Sequence, residues 1–290
     1  MAHPTHPHGL RHDLVQMDLE LARIAQRRRA LRVLGGLAAG ALPLIGCGGG
    51  DDTVTTTGTT TGTTTGTTTG TGAVSSCSAI PSETAGPYPG DGTNSNSSGV
   101  VNVLTQTGVV RSDIRSSFGG LSGTASGVPL TVTLRLVNTA AACADLAGYA
   151  VYLWHCTADG GYSLYSSGIT GQNYLRGVQV ADANGQVTFT TIFPGCYSGR
   201  WPHIHFEVYP SLSVATSGSN DVRTSQLALP SSACTQVYGV ASGYAASVSS
   251  FNAISLTSDN VFSDNAGVGQ IATVTGNATS GFAATLTVGI

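Results

Sequence analysis

The sequence predicts an all-β fold, a β-sandwich carrying long loops, and three observations lead there. From about residue 75 onward the chain is rich in Val, Thr, Ser, Gly, Tyr and Ala, with short β-branched runs separated by Gly, Pro, Asn and Asp. Five runs have strand character: residues 130–137, 150–155, 186–192, 203–209 and 284–288. No long helical periodicity is present, and only a short helix is expected near residues 239–249.

Three segments are expected. Residues 1–47 read as a leader. A polar stretch with His3, His6, His8 and His12 precedes Arg27-Arg28-Arg29-Ala30-Leu31-Arg32, and a short apolar Gly/Ala-rich run follows to Ile45. A basic patch before a hydrophobic segment too short to span a membrane is an export signal. The paired arginines resemble a twin-arginine signal, and Leu44-Ile45-Gly46-Cys47 resembles a lipobox, so the mature chain is expected to begin at a lipidated Cys47 outside the cytoplasm. The four leader histidines, a metal-like tract on their own, would then be removed. Residues 48–74 contain repeated Thr-Thr-Thr-Gly, a tract with nothing to bury that reads as a flexible tether. Residues 75–290 are the expected globular domain.

After Cys47 the chain holds six arginines, no lysine and twelve of its 15 carboxylates, a balance of about −6. That charge argues against nucleic acid or anionic lipid as the main partner and leaves the lipid anchor as the expected link to a membrane. Five further cysteines (Cys77, Cys143, Cys156, Cys196, Cys234) permit one or two disulfides and leave at least one thiol without an intrachain partner. Spacing does not assign the pairs. Cys156 and Cys196 show no zinc-ligand spacing and are read as structural.

Within the domain, Asp182-Ala183-Asn184-Gly185 reads as a hairpin turn. Two loops stand out: residues 80–90, rich in proline and ending near Tyr88, and residues 157–177, which carry Tyr162, Tyr165, Tyr174 and Arg176. The densest chemistry lies in residues 195–208, where Tyr197, Arg200, His203 and His205 fall within nine positions. On a strand, His203 and His205 share a face. His-x-His in a strand is a buried structural pair at least as often as a ligand pair. Glu207 shares the same face but lies roughly 13 Å along the strand from His203, too far to close a three-ligand site on one ion.

With those residues in view, Gly195-Cys196-Tyr197-Ser198-Gly199-Arg200-Trp201-Pro202-His203-Ile204-His205-Phe206 closely resembles the Gly-x-Tyr-x-x-Arg-x-x-His-x-His-Phe segment of the intradiol ring-cleavage dioxygenases, the catechol and protocatechuate dioxygenase family. Three more segments resemble the family in the same order. Thr84-Ala85-Gly86-Pro87-Tyr88 is similar to its entrance loop. Trp154-His155 with Asp159-Gly160-Gly161-Tyr162 is similar to the strand and loop bearing its first tyrosine ligand. Leu175-Arg176-Gly177 through Asp182–Gly185 to Thr191-Ile192-Phe193-Pro194-Gly195 is similar to the stretch joining its two tyrosines. The resemblance spans roughly residues 77–265.

The resemblance implies an immunoglobulin- or transthyretin-like sandwich binding Fe(III) through Tyr162, Tyr197, His203 and His205, with solvent as a fifth ligand. Two phenolates and one hydroxide would neutralise a trivalent ion, and a phenol with an ordinary pKa of about 10 can be held ionised by such a charge. An Fe(II) site would instead call for two histidines and a carboxylate. It also implies a catechol-type substrate and dioxygen, with Tyr197 as the displaceable ligand taking up a diol proton and Arg200 stabilising developing negative charge, worth ~3 kcal/mol by analogy with oxyanion donors. Gln226 falls where the family places a glutamine near ring and dioxygen. The expected product is a muconate-type diacid. Trp201 and Cys196 depart from the pattern of soluble members, and the sequence names neither the particular catechol nor an oligomeric state. Two other readings compete: a non-catalytic exported binding module on the same sandwich, and a zinc hydrolase, disfavoured because zinc rarely takes two tyrosines.

Overall fold

The computed structural model describes residues 77–290; the expected leader, Cys47 and the Thr-Gly tether lie outside the described residues. Thirteen elements follow in chain order: β1 (Asp91–Asn96), β2 (Gly99–Asn102), β3 (Pro129–Asn138), β4 (Ala144–Asp145), β5 (Ala150–Trp154), β6 (Arg176–Val180), β7 (Gln186–Ile192), β8 (His203–Tyr209), β9 (Arg223–Ala228), the helices α1 (Ser231–Val240) and α2 (Ala245–Asn252), β10 (Thr273–Asn277) and β11 (Gly281–Gly289). The expected all-β class holds, and all five expected strands form.

One sheet runs β10-β11-β3, with β7 and the short β4 also on β3, and the other runs β6-β5-β8-β9; β1 and β2 make a separate hairpin. Most neighbours are antiparallel, but β11 lies parallel to β3. Alternate residues of each main strand enter a shared core: Leu130, Val132, Leu134 and Leu136 from β3, Val187 and Phe189 from β7, Val151 and Leu153 from β5, and Ile204, Phe206 and Val208 from β8. This period-two burial is what the alternation in the sequence encodes. The turn before β7 also forms as expected. Asp182 Oδ1 accepts from the Asn184 and Gln186 backbone N–H groups at 2.8 and 2.9 Å, and Gly185 adopts φ 69° at the turn.

The sequence does not disclose what covers the other face of β5 and β8. Every residue of β5 and β8 is buried. Tyr152, Trp154 and Tyr209 on that second face pack with Val103, Leu104, Val109 and Phe118 from the irregular region before β3, and with Tyr162 from the loop after β5. A polar-looking face carrying His203, His205 and Glu207 is thus sealed under a further layer of chain. Buried polar groups of this kind are tolerated only when partnered.

The helices sit earlier and later than the single one expected: α1 ends at Val240 and α2 begins at Ala245, with a break between them. Cys77 and Cys143 form a disulfide. Cys156, Cys196 and Cys234 are free and buried, consistent with their structural reading.

His155 is structural. It is 1% exposed, its Nδ1–H donates to the Cys156 carbonyl at 2.8 Å, and its Nε2 accepts from the Thr191 hydroxyl at 2.7 Å. Burial pushes its pKa down to about 4. The folded protein therefore keeps this ring neutral where the unfolded chain, titrating near 6.5, takes up a proton. The associated stability is full above pH ~6.5 and is lost as pH falls towards 4, by ~3 kcal/mol. Urea unfolding of wild type and His155→Gln at pH 7 and pH 4.5 tests this: the wild type is expected to lose more stability than the variant between the two pH values.

Candidate metal centre

Strand β8 presents His203 and His205 side by side, and its register with β5 sets Trp154 beside His205. The Trp154 ring stacks on His205 with centroids 4.9 Å apart and planes 6° from parallel, and Tyr152 stacks on Trp154 in turn. This aromatic floor fixes the imidazole plane.

Tyr162 arrives from the loop after β5, which closes on itself through Thr157. The Thr157 N–H donates to the Gly161 carbonyl at 2.7 Å, and the Tyr162 N–H donates to Ser166 Oγ at 2.8 Å. Tyr197 comes from the segment between β7 and β8. It lies so close to Gly160, at φ 89°, that a Cβ there would stand 3.3 Å from Tyr197 Cβ. The entrance loop fits as closely: a Cβ on Gly86, at φ 73°, would be 3.4 Å from His205 Cε1.

All four resemblance-derived ligands meet at their donor atoms. Tyr162 Oη lies 3.2 Å from Tyr197 Oη, 3.4 Å from His203 Nε2 and 3.2 Å from His205 Nε2. Tyr197 Oη is 3.2 Å from His203 Nε2, and the two Nε2 atoms are 3.0 Å apart. Donor atoms bound to one ion at roughly 2 Å and at angles between 90 and 110° stand about 2.8–3.4 Å from one another. The quartet therefore fits a single small cation. Among the described residues no group of three or more His, Cys, Asp and Glu could hold a metal; here two of the four donors are phenols.

Protonation is set by the surroundings. The His203 Nδ1–H donates to the Trp201 carbonyl at 2.5 Å, which turns the Nε2 lone pair towards the quartet. For His205 the Thr84 backbone favours a proton on the ring, although Nδ1 makes no hydrogen bond of full geometry. Burial, reinforced by the Arg200 charge, holds both imidazoles well below their usual pKa. Burial raises both phenols, Tyr162 well above its ordinary value and Tyr197 to about 12. A site of neutral rings and neutral phenols is costly to bury, and a cation of high charge reverses that cost by ionising the phenols. Tyr162 is 2% exposed while Tyr197 is half-buried, so Tyr197 is the less enclosed of the two tyrosines.

Arg200 lies beside the quartet and is 3% exposed. Its Nε donates to Asp259 Oδ2 at 3.0 Å, a buried ion pair rather than a surface one. Its Nη2 donates to Gln226 Oε1 at 2.5 Å, and Gln226 Nε2 donates to the Thr84 carbonyl at 2.8 Å. Gln226 is register partner to His205 on β9 and fully buried. Both ends of its amide are occupied within the protein, so its contact is with Arg200. Burial alone would lower the Arg200 pKa, but Tyr197, Asp259 and Tyr162 together raise it. Half-buried Tyr88 sets its ring 5.3 Å from that of Tyr162 and 5.1 Å from that of Tyr165. Glu207 stays out of the quartet and accepts from the Tyr209 hydroxyl at 2.5 Å. Asp259 escaped the sequence reading, and Arg176 was noted in its loop without a role. The one local hint at Asp259 is an acid just ahead of the apolar pair Val261-Phe262.

Residues 112–234 match the family described as Dioxygenase. That segment is similar to the Dioxygenase family, and the fold around it is shared with intradiol ring-cleavage dioxygenases. The matched segment includes all four quartet residues, Arg200 and Gln226, but neither the entrance loop nor Asp259. Among solved structures, the intradiol ring-cleavage dioxygenase from Tetranychus urticae is similar at 24% identity and TM-score 0.55, covering 74% of this chain and 95% of that one; this likeness speaks to the fold. Weaker likenesses are to the dioxygenase domain of a carbohydrate-binding fusion from Streptomyces sp. SirexAA-E, at 23% identity, TM-score 0.44 and coverage of 73% and 98%, and to 3-chlorocatechol 1,2-dioxygenase from Rhodococcus opacus 1CP, at 16% identity, TM-score 0.44 and coverage of 72% and 71%. No curated protein sequence gives a match to the chain.

Proposed function

We propose that the chain is an intradiol ring-cleavage dioxygenase that uses Fe(III), held by Tyr162, Tyr197, His203 and His205, to open a catechol-type ring between its hydroxylated carbons with dioxygen, giving a muconate-type diacid. The observation that carries the reading is the convergence of two phenol oxygens and two imidazole nitrogens within 3.0–3.4 Å. Two phenolates favour a trivalent hard ion, and no carboxylate joins the set.

A ferric ion bound there would activate the coordinated diol ring towards dioxygen. The rest follows from the chain's own residues. Tyr162, buried and in contact with the other three donors, is the fixed phenolate. Tyr197, the less enclosed of the two tyrosines, is the one whose oxygen can leave its position and take up a diol proton. His203 and His205 stay neutral, the first oriented by the Trp201 carbonyl and the second by Trp154. Arg200 supplies a fixed cation beside the incoming ring, and its charge favours the anionic forms of the substrate. Trp154 beneath and Tyr88 beside the site restrict water.

The leader (residues 1–47), the tether (48–74) and the domain (75–290) belong to the same proposal: an extracytoplasmic enzyme exported by a twin-arginine-type route and anchored through lipid on Cys47. Fatty-acid labelling of the wild-type chain but not of Cys47→Ser is the expected result; equal labelling of both would remove the anchor.

The activity is tested with iron-loaded protein, catechol and ¹⁸O₂. The expected product is the diacid carrying both labelled oxygen atoms. A product cleaved beside rather than between the hydroxylated carbons, or no oxygen uptake, would overturn the reading.

A further inference from the structure

We propose that Asp259 is a positioning residue of this site, acting through Arg200; the inference rests on the reading of Arg200 as the cation beside the bound ring. Asp259 is fully buried and lies outside the family-matched segment, 59 residues from Arg200 in sequence.

Its carboxylate is saturated by donors. Oδ2 accepts from Arg200 Nε at 3.0 Å and from the Trp201 backbone N–H at 2.5 Å. Oδ1 accepts from the Val261 and Phe262 backbone N–H groups at 2.7 and 2.6 Å. Four N–H groups facing two oxygens require a residue that only accepts.

One carboxylate thereby joins three parts of the site. The Trp201 peptide whose N–H it accepts also offers the carbonyl that orients His203. Phe262, whose N–H it accepts, sets its ring 6.5 Å from that of His203 and 5.8 Å from the Arg200 Cζ. The guanidinium itself is held on two sides, Nε by Asp259 and Nη2 by Gln226. A planar fork fixed at two corners cannot swing away from the quartet. The ion pair also explains how an arginine is kept beside a cation site: the carboxylate offsets part of the cost of burying a guanidinium that stays cationic.

Asp259→Asn tests this because the amide keeps the shape but turns an NH₂ towards two of the four donors. Two readouts separate positioning from bulk structure. In ¹⁵N-labelled, iron-free protein the Arg200 Nε–H signal, assigned by its loss in Arg200→Lys, is expected to exchange slowly in wild type and at least ~10-fold faster in Asp259→Asn. In iron-loaded protein, Asp259→Asn is expected to lower kcat/KM for catechol by ~10- to 100-fold in the wild-type background. In the Arg200→Lys background the same change is expected to cost at most ~3-fold, the non-additivity of residues acting as a unit. Iron content is expected to be unchanged throughout. Equal losses in the two backgrounds, or an Arg200 Nε–H exchanging equally fast with and without the carboxylate, overturns the proposal. Where Asp259→Asn does not fold, Asp259→Glu, which keeps the charge but displaces it, replaces it with the same expected pattern. If wild-type protein does not act on catechol, the functional reading fails, and the exchange comparison alone then decides the role of Asp259.

Discussion

Replacing Tyr162 by phenylalanine is expected to remove both iron retention and ring cleavage, lowering kcat/KM for catechol by more than the ~10- to 100-fold typical of groups that merely support a ligand. Tyr162 Oη touches the other three donor atoms within 3.4 Å, so its loss opens the centre of the quartet and not its rim. Tyr197→Phe is expected to behave differently. Tyr197 is half-buried, the less enclosed of the two tyrosines, which suits a donor that is displaced, and its removal is expected to lower turnover by a larger factor than it lowers iron content. Metal analysis beside steady-state kinetics separates the two variants. Without iron the order should reverse for stability. A buried phenol oxygen crowded among three other donor atoms is a cost to the metal-free fold, so iron-free Tyr162→Phe is expected to unfold at no lower urea concentration than iron-free wild type. A marked loss of stability there would mean that the hydroxyl serves the fold and not the metal.

The second large effect lies outside the quartet, at Arg176. This side chain is 0% exposed, and its guanidinium donates to five oxygens: Ser163 Oγ at 3.0 Å, the Ser163 carbonyl at 3.0 Å, the Tyr88 carbonyl at 2.9 Å, the Pro89 carbonyl at 2.5 Å and the Tyr152 hydroxyl at 3.1 Å. It ties the entrance loop to the residue next to Tyr162. Arg176→Met takes this donor from three carbonyls, of which Pro89 keeps the Tyr152 hydroxyl, and at about 1–3 kcal/mol for each of the other two the expected destabilisation is ~2–6 kcal/mol. Arg176→Lys keeps the charge but not the fork and is expected to fall between. Both variants should weaken iron binding, because Tyr88 and Tyr162 lose a common anchor. Urea unfolding midpoints with iron titrations measure the two consequences together; an unaltered midpoint in Arg176→Met would refute the account of this residue.

How much of this the sequence carried depends on range. The strands legible in advance, such as β3 and β8, have β-branched or aromatic residues at period two, a signal contained in the strand itself. β1 is built from Asp, Gly, Thr, Asn and Ser with little β propensity, and β9 reads Arg-Thr-Ser-Gln-Leu-Ala; these strands are made by their neighbours and not by their own pattern. The quartet could be named because the family resemblance supplied Tyr162 and Tyr197, whereas His203 and His205 alone left a structural pair equally open. Arg176 sat in a noted loop but received no role, since its five partners come from residues 88–89, 152 and 163 and no local pattern connects them. Asp259 was invisible for the same reason: an aspartate after a serine looks like a turn residue until the fold brings Arg200 to it. The cysteines show the same limit, with Cys77 and Cys143 paired across 66 residues while spacing left every pairing open.

The account stands most directly on the identity of the ion at the quartet, and one optical and metal measurement addresses it. The protein, loaded with ferric iron in air and freed of excess metal, is expected to hold about one iron per chain and to show a visible phenolate-to-iron charge-transfer band that shifts on adding catechol and is absent in Tyr162→Phe. Colourless protein that retains no iron after loading would contradict it.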